Sequence, residues 1–132
     1  MQGSCLCGAV RYEATGDPIR FNLDHCSRCR KSTGSAFGAW IICERNGFRW
    51  LAGAELVRRY VAPVKLTPPG YPRTFCSVCG GPVPYVDDRI VGIPAGTVDG
   101  DPGIRPQMHL FVDGNAPWYD IRDDLPQHAG VV

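Results

Sequence analysis

Cys76-Ser77-Val78-Cys79-Gly80-Gly81 decides how the rest of this chain is read. Two cysteines three apart, followed by paired glycines, have the spacing of a zinc knuckle, whose turn brings both thiolates and nearby amides to one ion. A tetrahedral zinc with Zn–S near 2.3 Å places neighbouring sulfurs roughly 3.8 Å apart. The knuckle needs a second pair, and Gly3-Ser4-Cys5-Leu6-Cys7-Gly8 offers one. Residues i and i+2 of a flat strand lie about 6.5–7 Å apart. Cys5 and Cys7 therefore share an ion only if the chain bends, which Gly3 and Gly8 permit. Together the pairs would make a four-thiolate site closing a loop of about 70 residues, the kind of long loop where a metal clip gains most. Such a site contributes about 10–16 kcal/mol of apparent binding free energy at neutral pH, more than the net stability of many domains. Free buried thiols and a Cys76–Cys79 redox pair are the competing readings, and the redox reading lacks the βαβ context that thioredoxin-like pairs need.

The segments around the knuckle read as short strands. Val10 and Tyr12 alternate with Arg11 and Glu13, and Ile19-Arg20-Phe21-Asn22-Leu23 alternates again. Ala36 to Cys43 is an apolar run of strand length, and Asn46-Gly47 is a hairpin signal between it and Phe48-Arg49-Trp50-Leu51. Glu55–Val61, Arg73–Phe75, Val83–Val86, Ile90–Ile93, His109–Val112 and Trp118–Ile121 supply further pieces. Pro63 to Pro72 is expected to be an irregular loop, and Lys31–Ser35 a turn or short helical turn. With 16 glycines and 12 prolines in 132 residues, long helices are not expected. No linker marks a boundary. The expectation is one mainly β, zinc-stabilised antiparallel domain over residues 1–132.

Fourteen basic and 13 acidic side chains leave a net charge of +1, so no global field steers the chain to nucleic acid or to a membrane. No segment approaches the roughly 20 apolar residues that span a bilayer, and no secretory signal is visible. A reducing, cytoplasmic location is expected, where paired cysteines bind metal or do redox work more often than they form disulfides.

Asp24-His25-Cys26-Ser27-Arg28-Cys29-Arg30-Lys31 carries a third pair with no partner pair. If Cys26 and Cys29 bind metal, the other positions fall to Asp24, His25, His109 or an outside ligand. Fewer than four protein ligands is the mark of a catalytic site open to water or substrate. The other reading is two reduced thiols. Cys43 reads as a small core residue, and His109 as a proton carrier, a ligand or the donor of a structural hydrogen bond.

Three blocks then carry a resemblance: Gly3-Ser4-Cys5-Leu6-Cys7-Gly8-Ala9-Val10; His25-Cys26-x-x-Cys29-Arg30-Lys31-x-x-Gly34-Ser35-x-Phe37; and Arg73-x-Phe75-Cys76-x-x-Cys79-Gly80. His109, Pro117-Trp118 and Asp123-Asp124-Leu125-Pro126 follow in the same order. The chain resembles the glutathione-dependent formaldehyde-activating (GFA) family. The resemblance implies a β-tent-like fold with a structural zinc at Cys5, Cys7, Cys76 and Cys79. It also implies a second zinc on a Cys-His-Cys-x-x-Cys pattern, of which Cys26 and Cys29 are present while Asp24 stands at the first position. A carboxylate is a harder ligand than the thiolate it replaces, so the second site is expected to be the weaker. The implied activity is carbon–sulfur lyase chemistry, joining glutathione and formaldehyde as S-(hydroxymethyl)glutathione.

On that reading Cys26, Cys29 and Asp24 are the catalytic candidates, and Arg30 and Lys31 pair with the carboxylates of a glutathione-like substrate. The alternative is a non-catalytic zinc-stabilised module that binds a small thiol or a protein partner. Nucleic-acid binding through Arg28, Arg30 and Lys31 has too small a footprint to be expected.

Overall fold

The computed structural model describes residues 1–63 and 71–131. Most of the loop expected between Pro63 and Pro72 lies outside the described residues.

Strands β1 (Gln2–Ser4), β2 (Arg11–Ala14), β5 (Phe48–Ala52) and β10 (Val98–Asp99) form one sheet in the order β10-β1-β2-β5. Strands β3 (Arg20–Asp24), β4 (Gly38–Glu44), β8 (Tyr85–Val86), β9 (Ile90–Pro94) and β11 (Met108–Leu110) form a second, in the order β11-β3-β4-β9-β8. A two-stranded ribbon joins β6 (Val57–Ala62) to β7 (Tyr71–Cys76). The architecture is mainly β and mostly antiparallel, as expected. The exception is β11, which runs parallel to β3.

The alternating segments became strands for the anticipated reason. Tyr12 and Ala14 turn inward from β2 while Arg11 faces solvent, and they meet Phe21, Ile41, Cys43, Phe48, Val91 and Ile93 in the larger core. Cys43 is thus a core residue. Tyr12 is fully buried, and its hydroxyl hydrogen-bonds Thr97 Oγ1 at 2.7 Å. A Cβ at Gly3 would collide with that hydroxyl and with the Thr97 carbonyl, so Gly3 is needed for a close approach within the sheet.

Two local expectations are corrected. Asn46-Gly47 does not make a hairpin, because β4 pairs with β3 and β9 whereas β5 pairs with β2. A 3-10 turn over Arg45–Gly47 instead carries the chain from one sheet to the other, without the positive φ that a two-residue hairpin turn demands. Trp118–Ile121 is a turn and coil, not a strand.

The one α-helix among the described residues, α1 (Ser27–Thr33), begins earlier than the turn expected at Lys31. Cys26 caps it and Gly34, at φ 68°, ends it by donating its backbone N–H to the Arg30 carbonyl. The helix packs on β4, so Cys26 and Cys29 sit where β3 ends and α1 begins.

Candidate functional site

The knuckle forms as its spacing requires. Gly80, at φ 72°, turns the chain so that its N–H reaches the Cys76 carbonyl, while the Val78 and Gly81 amides point at Cys76 Sγ and Cys79 Sγ. On the other side Gly8, at φ 77°, folds Cys5-Leu6-Cys7 into a turn in which Gly8 N–H donates to the Cys5 carbonyl. The bend overcomes the strand spacing. Cys5 and Cys7 sulfurs are 3.6 Å apart, Cys7 and Cys76 sulfurs 3.9 Å, and all four sulfurs lie within 4.8 Å of one another.

These edges match the roughly 3.8 Å expected around a tetrahedral thiolate-bound ion. The charges tell the same story. Backbone amides at Cys7 and Gly81 lower Cys79 to about 6. The Ala9 amide favours the Cys7 thiolate, but burial and the sulfurs of Cys5, Cys79 and Cys76 push Cys7 up to about 11. Negative charge on one of these crowded sulfurs opposes charge on the next, and a cation among them would relieve that opposition.

The middle pair is built differently. Cys26 Sγ accepts the Cys29 N–H at 3.2 Å and lies 2.9 Å from Cys29 Sγ. The Cys29 thiol, the Cys29 and Arg28 amides and Arg73 hold Cys26 down at about 6 against burial. Cys29 itself is buried, with Arg73 Nη2 donating to its sulfur at 3.3 Å.

Asp24 accepts from Asn22 Nδ2 at 2.7 Å. Burial, helped by the charge at Cys26, pushes its carboxyl up to about 6 against Asn22, Arg20 and Arg73.

His25 is fully buried, and both of its ring nitrogens are engaged, Nδ1 with Asn115 Oδ1 at 3.1 Å and Nε2 with His109 Nδ1 at 2.8 Å. His109 Nε2 in turn meets the Asp123 carboxylate at 2.9 and 3.0 Å. The Asn115 amide is fixed by donating to the Tyr119 carbonyl, so its oxygen faces His25. A continuous chain of contacts thus runs from Asn115 through His25 and His109 to Asp123. It clasps the C-terminal segment beneath Cys26.

Among the described residues the outer four cysteines are the one group of three or more potential ligands whose ligand atoms converge. The structure does not bring Asp24, His25 or His109 together with Cys26 and Cys29 in that way.

A cleft of about 950 Å³ opens between α1 and the β6–β7 ribbon. Arg28, Lys31 and Arg73 supply its cations, and Trp40, Tyr60 and Phe75 its aromatic walls. The Arg73 guanidinium lies 4.8 Å over the Trp40 ring and donates from Nε to Ser32 Oγ at 2.8 Å. Lys31 therefore faces the cleft, whereas Arg30 turns away and donates to the Gly114 carbonyl at 3.0 Å. Arg28, Trp40 and Arg73 were missing from the expected site. Arg73 heads the block that carries the last cysteine pair, and only the fold of β7 brings it to α1.

The model of the glutathione-dependent formaldehyde-activating enzyme family matches residues 1–114. The chain belongs to that family. A GFA relative from Halomonas elongata, named "Putative glutathione-dependent formaldehyde-activating enzyme", is 34% identical over 127 residues, covering 92% of this chain and 80% of the relative. The fold is also that of a Rhodobacter sphaeroides protein of known crystal structure. That match has a TM-score of 0.58 at 21% identity, over 78% of this chain and 93% of the other. The four converging cysteines Cys5, Cys7, Cys76 and Cys79 could hold a metal ion. No helix is long and apolar enough to cross a membrane among the described residues.

Proposed function

We propose that the protein joins a small acidic thiol to an aldehyde, carbon–sulfur lyase-type chemistry with glutathione and formaldehyde as the pair. The observation that carries this reading is the cationic cleft whose Arg73 also touches the Cys29 sulfur. Membership of the GFA family and the name of the Halomonas relative support it. Arg28 and Lys31 would hold the carboxylates of the thiol, with Lys31 the stronger choice than Arg30. With its thiol held down at about 6, Cys26 would supply the nucleophilic thiolate. It would take up the aldehyde reversibly: its sulfur bonds to the carbonyl carbon, the π pair moves to oxygen, and Asp24 supplies the proton. Collapse of that adduct breaks its C–S bond, returns the hydroxyl proton to Asp24 and releases the aldehyde beside the bound thiol, whose sulfur would then bond to the carbonyl carbon while Asp24 protonates the new oxygen and recovers the thiol's proton.

At Cys5, Cys7, Cys76 and Cys79 we propose one zinc, because four convergent soft sulfurs suit that ion. Its contribution is to fasten β1–β2 to the end of β7. Two sulfurs at Cys26 and Cys29 do not fit a second resident zinc, and no step is assigned to one. That shortage favours the other reading, a zinc-stabilised module that binds a small thiol or a protein partner without catalysis. A reducing, cytoplasmic setting suits both, and neither calls for nucleic acid.

Exchange NMR with glutathione and formaldehyde separates them. The catalytic reading expects exchange well above the spontaneous rate for the natural chain and loss of that excess in Cys26→Ser. Spontaneous rates throughout would leave the binding module. Asp24→Cys, which restores a three-thiol set, is expected to raise the metal content from one ion per chain towards two.

A further inference from the structure

Strands β3 and β4 carry two buried polar atoms that no hydrogen bond satisfies among the described residues, Asn22 Oδ1 and Trp40 Nε1. One is an acceptor and the other a donor. Buried side-chain polar atoms are nearly always partnered, so a complementary pair of orphans calls for an outside partner. The two residues stand directly opposite each other in the β3–β4 register. Such cross-strand partners share a face of the sheet, with Cβ atoms about 4.5–5.5 Å apart. Asn22 is only 2% exposed. Its amide is held by donating from Nδ2 to Asp24 Oδ1 at 2.7 Å, which leaves the oxygen uncommitted.

The next register pair places these atoms at the thiol site. Asp24 is opposite Gly38 on the same face. A Cβ on Gly38 would stand 2.5 Å from Trp40 Nε1 and 3.3 Å from Cys29 Cβ. The glycine therefore lets the indole N–H lie against α1, beside the thiol pair and across from Asp24. The Arg73 guanidinium lies 4.8 Å over the indole ring, which holds the ring in that orientation. Trp40 also lines the cleft, and Asp24 and Cys26 are half-buried, so a small solute can reach the position.

A single hydroxyl meets both orphans. Its oxygen accepts from the Trp40 indole N–H and its proton goes to Asn22 Oδ1. A carbonyl oxygen meets only the first, and an ether oxygen cannot donate to the second. We propose that Trp40 and Asn22 form the oxygen pocket of this site, holding the hydroxyl of a hydrated aldehyde or of its thiol adduct. The role rests on the aldehyde reading above. In that reaction Trp40 donates to the oxygen as the π pair moves onto it, a dipole fixed where charge develops. Asn22 keeps the Asp24 carboxyl aimed at the same atom. The ligand class is 1,1-diols and hydroxyalkyl thioethers, not their O-alkylated forms.

The test uses the metal-loaded chain carrying Cys26→Ser, which removes the thiol that takes up aldehyde. Serine is itself a good helix cap, so α1 keeps its start. Nitrogen–proton NMR follows the Trp40 indole N–H, assigned by its loss in Trp40→Phe, while aqueous formaldehyde, present as methanediol, is titrated in. The expected result is a saturable downfield shift of the Trp40 proton that reverses on dilution, with Trp50 and Trp118 unmoved. Dimethoxymethane, the same skeleton with both hydroxyls methylated, should respond at least about threefold more weakly, the scale of one neutral hydrogen bond. Adding Asn22→Leu should weaken the methanediol response by a similar factor. The probe comparison needs no change in the pocket and stands even if that variant folds poorly. An unmoved Trp40 proton, an equal response to both probes, or a folded Asn22→Leu chain that responds undiminished would each overturn the proposal. The readout involves neither thiol nor turnover. A chain that shows the shift without accelerated exchange loses the catalytic reading and keeps the pocket as a binding site; accelerated exchange with an unmoved Trp40 proton removes only the pocket.

Discussion

Arg73 Nη2 lies 3.3 Å from Cys29 Sγ, a contact between β7 and α1 across 44 positions of sequence. The same guanidinium is held by Ser32 and by the face of Trp40, so its charge is fixed beside the thiol pair. Replacing it should be felt first by sulfur. Arg73→Met is expected to raise the alkylation midpoint of Cys26 from about 6 by up to about one unit, with Arg73→Lys in between. Rates of iodoacetamide reaction against pH measure it, and an unmoved midpoint in Arg73→Met would show that the guanidinium is only a strut.

Asp24 should carry a pH signature of opposite sign to that of an ordinary paired carboxylate. Its folded value is raised from 3.8 to about 6. The folded chain therefore holds this proton more tightly, and the associated stability is present below about 3.8 and lost as the pH rises through about 6. Asp24→Asn keeps an oxygen for the Asn22 amide and removes the titration. With partial exposure discounted, it is expected to be more stable than the natural chain by about 1–2 kcal/mol at pH 7, with the difference vanishing near pH 4. Urea midpoints across that range decide it; a constant difference would refute the titration.

Removing one outer thiolate should disconnect the two ends of the smaller core. Cys5 and Cys76 are both buried there with Val10 and Val83. Cys76→Ser is expected to lose its ion and several kcal/mol of stability, read as metal per chain and a lower melting temperature. Chelation should lower the melting temperature of the natural chain and leave that of the variant unchanged. A natural chain whose melting ignores chelation would contradict the metal clip.

Acid should loosen the C-terminal clasp. Burial, and then the facing His109, lower His25, so the unfolded histidine takes a proton near pH 6.5 that the folded one resists. The resulting stability is present above about pH 6.5 and is lost as the pH falls below it, with a slope of at most about 1.4 kcal/mol per pH unit. His25→Gln should be less stable at pH 8 by about 1–3 kcal/mol, since it leaves His109 short of a partner. Its stability should also depend less on pH below 6.5, and a parallel dependence would argue against the assignment.

Local rules made much of this molecule legible. The knuckle at Cys76–Gly81 and the bend at Cys5–Gly8 follow from metal geometry and glycine conformation, and period-two alternation located β2 and β3. What stayed hidden depends on partners distant in sequence. Asn46-Gly47 reads as a hairpin until the pairing of β4 with β9 and of β5 with β2 is known. The parallel pairing of β11 with β3 leaves no local mark either. His109 was ambiguous as a lone histidine, and became intelligible only once His25 and Asp123 stood on either side of it. Cys26 and Cys29 have ligand spacing, but spacing records only that two sulfurs can meet and not which other groups would join them.

The separation of the outer pairs also bears on synthesis. Cys7 and Cys76 are 69 positions apart, so at roughly 5–20 residues per second the first thiols precede their partners by about 3–14 s. Cys26 and Cys29 emerge within that interval and are the nearer neighbours of Cys5 and Cys7 on the growing chain. Until the knuckle leaves the ribosome, the nascent protein offers an ion only these mismatched pairs. An early oxidant or an early metal would favour the wrong thiol partnership, so a reducing, metal-buffered medium is expected to raise the yield of correctly paired chain.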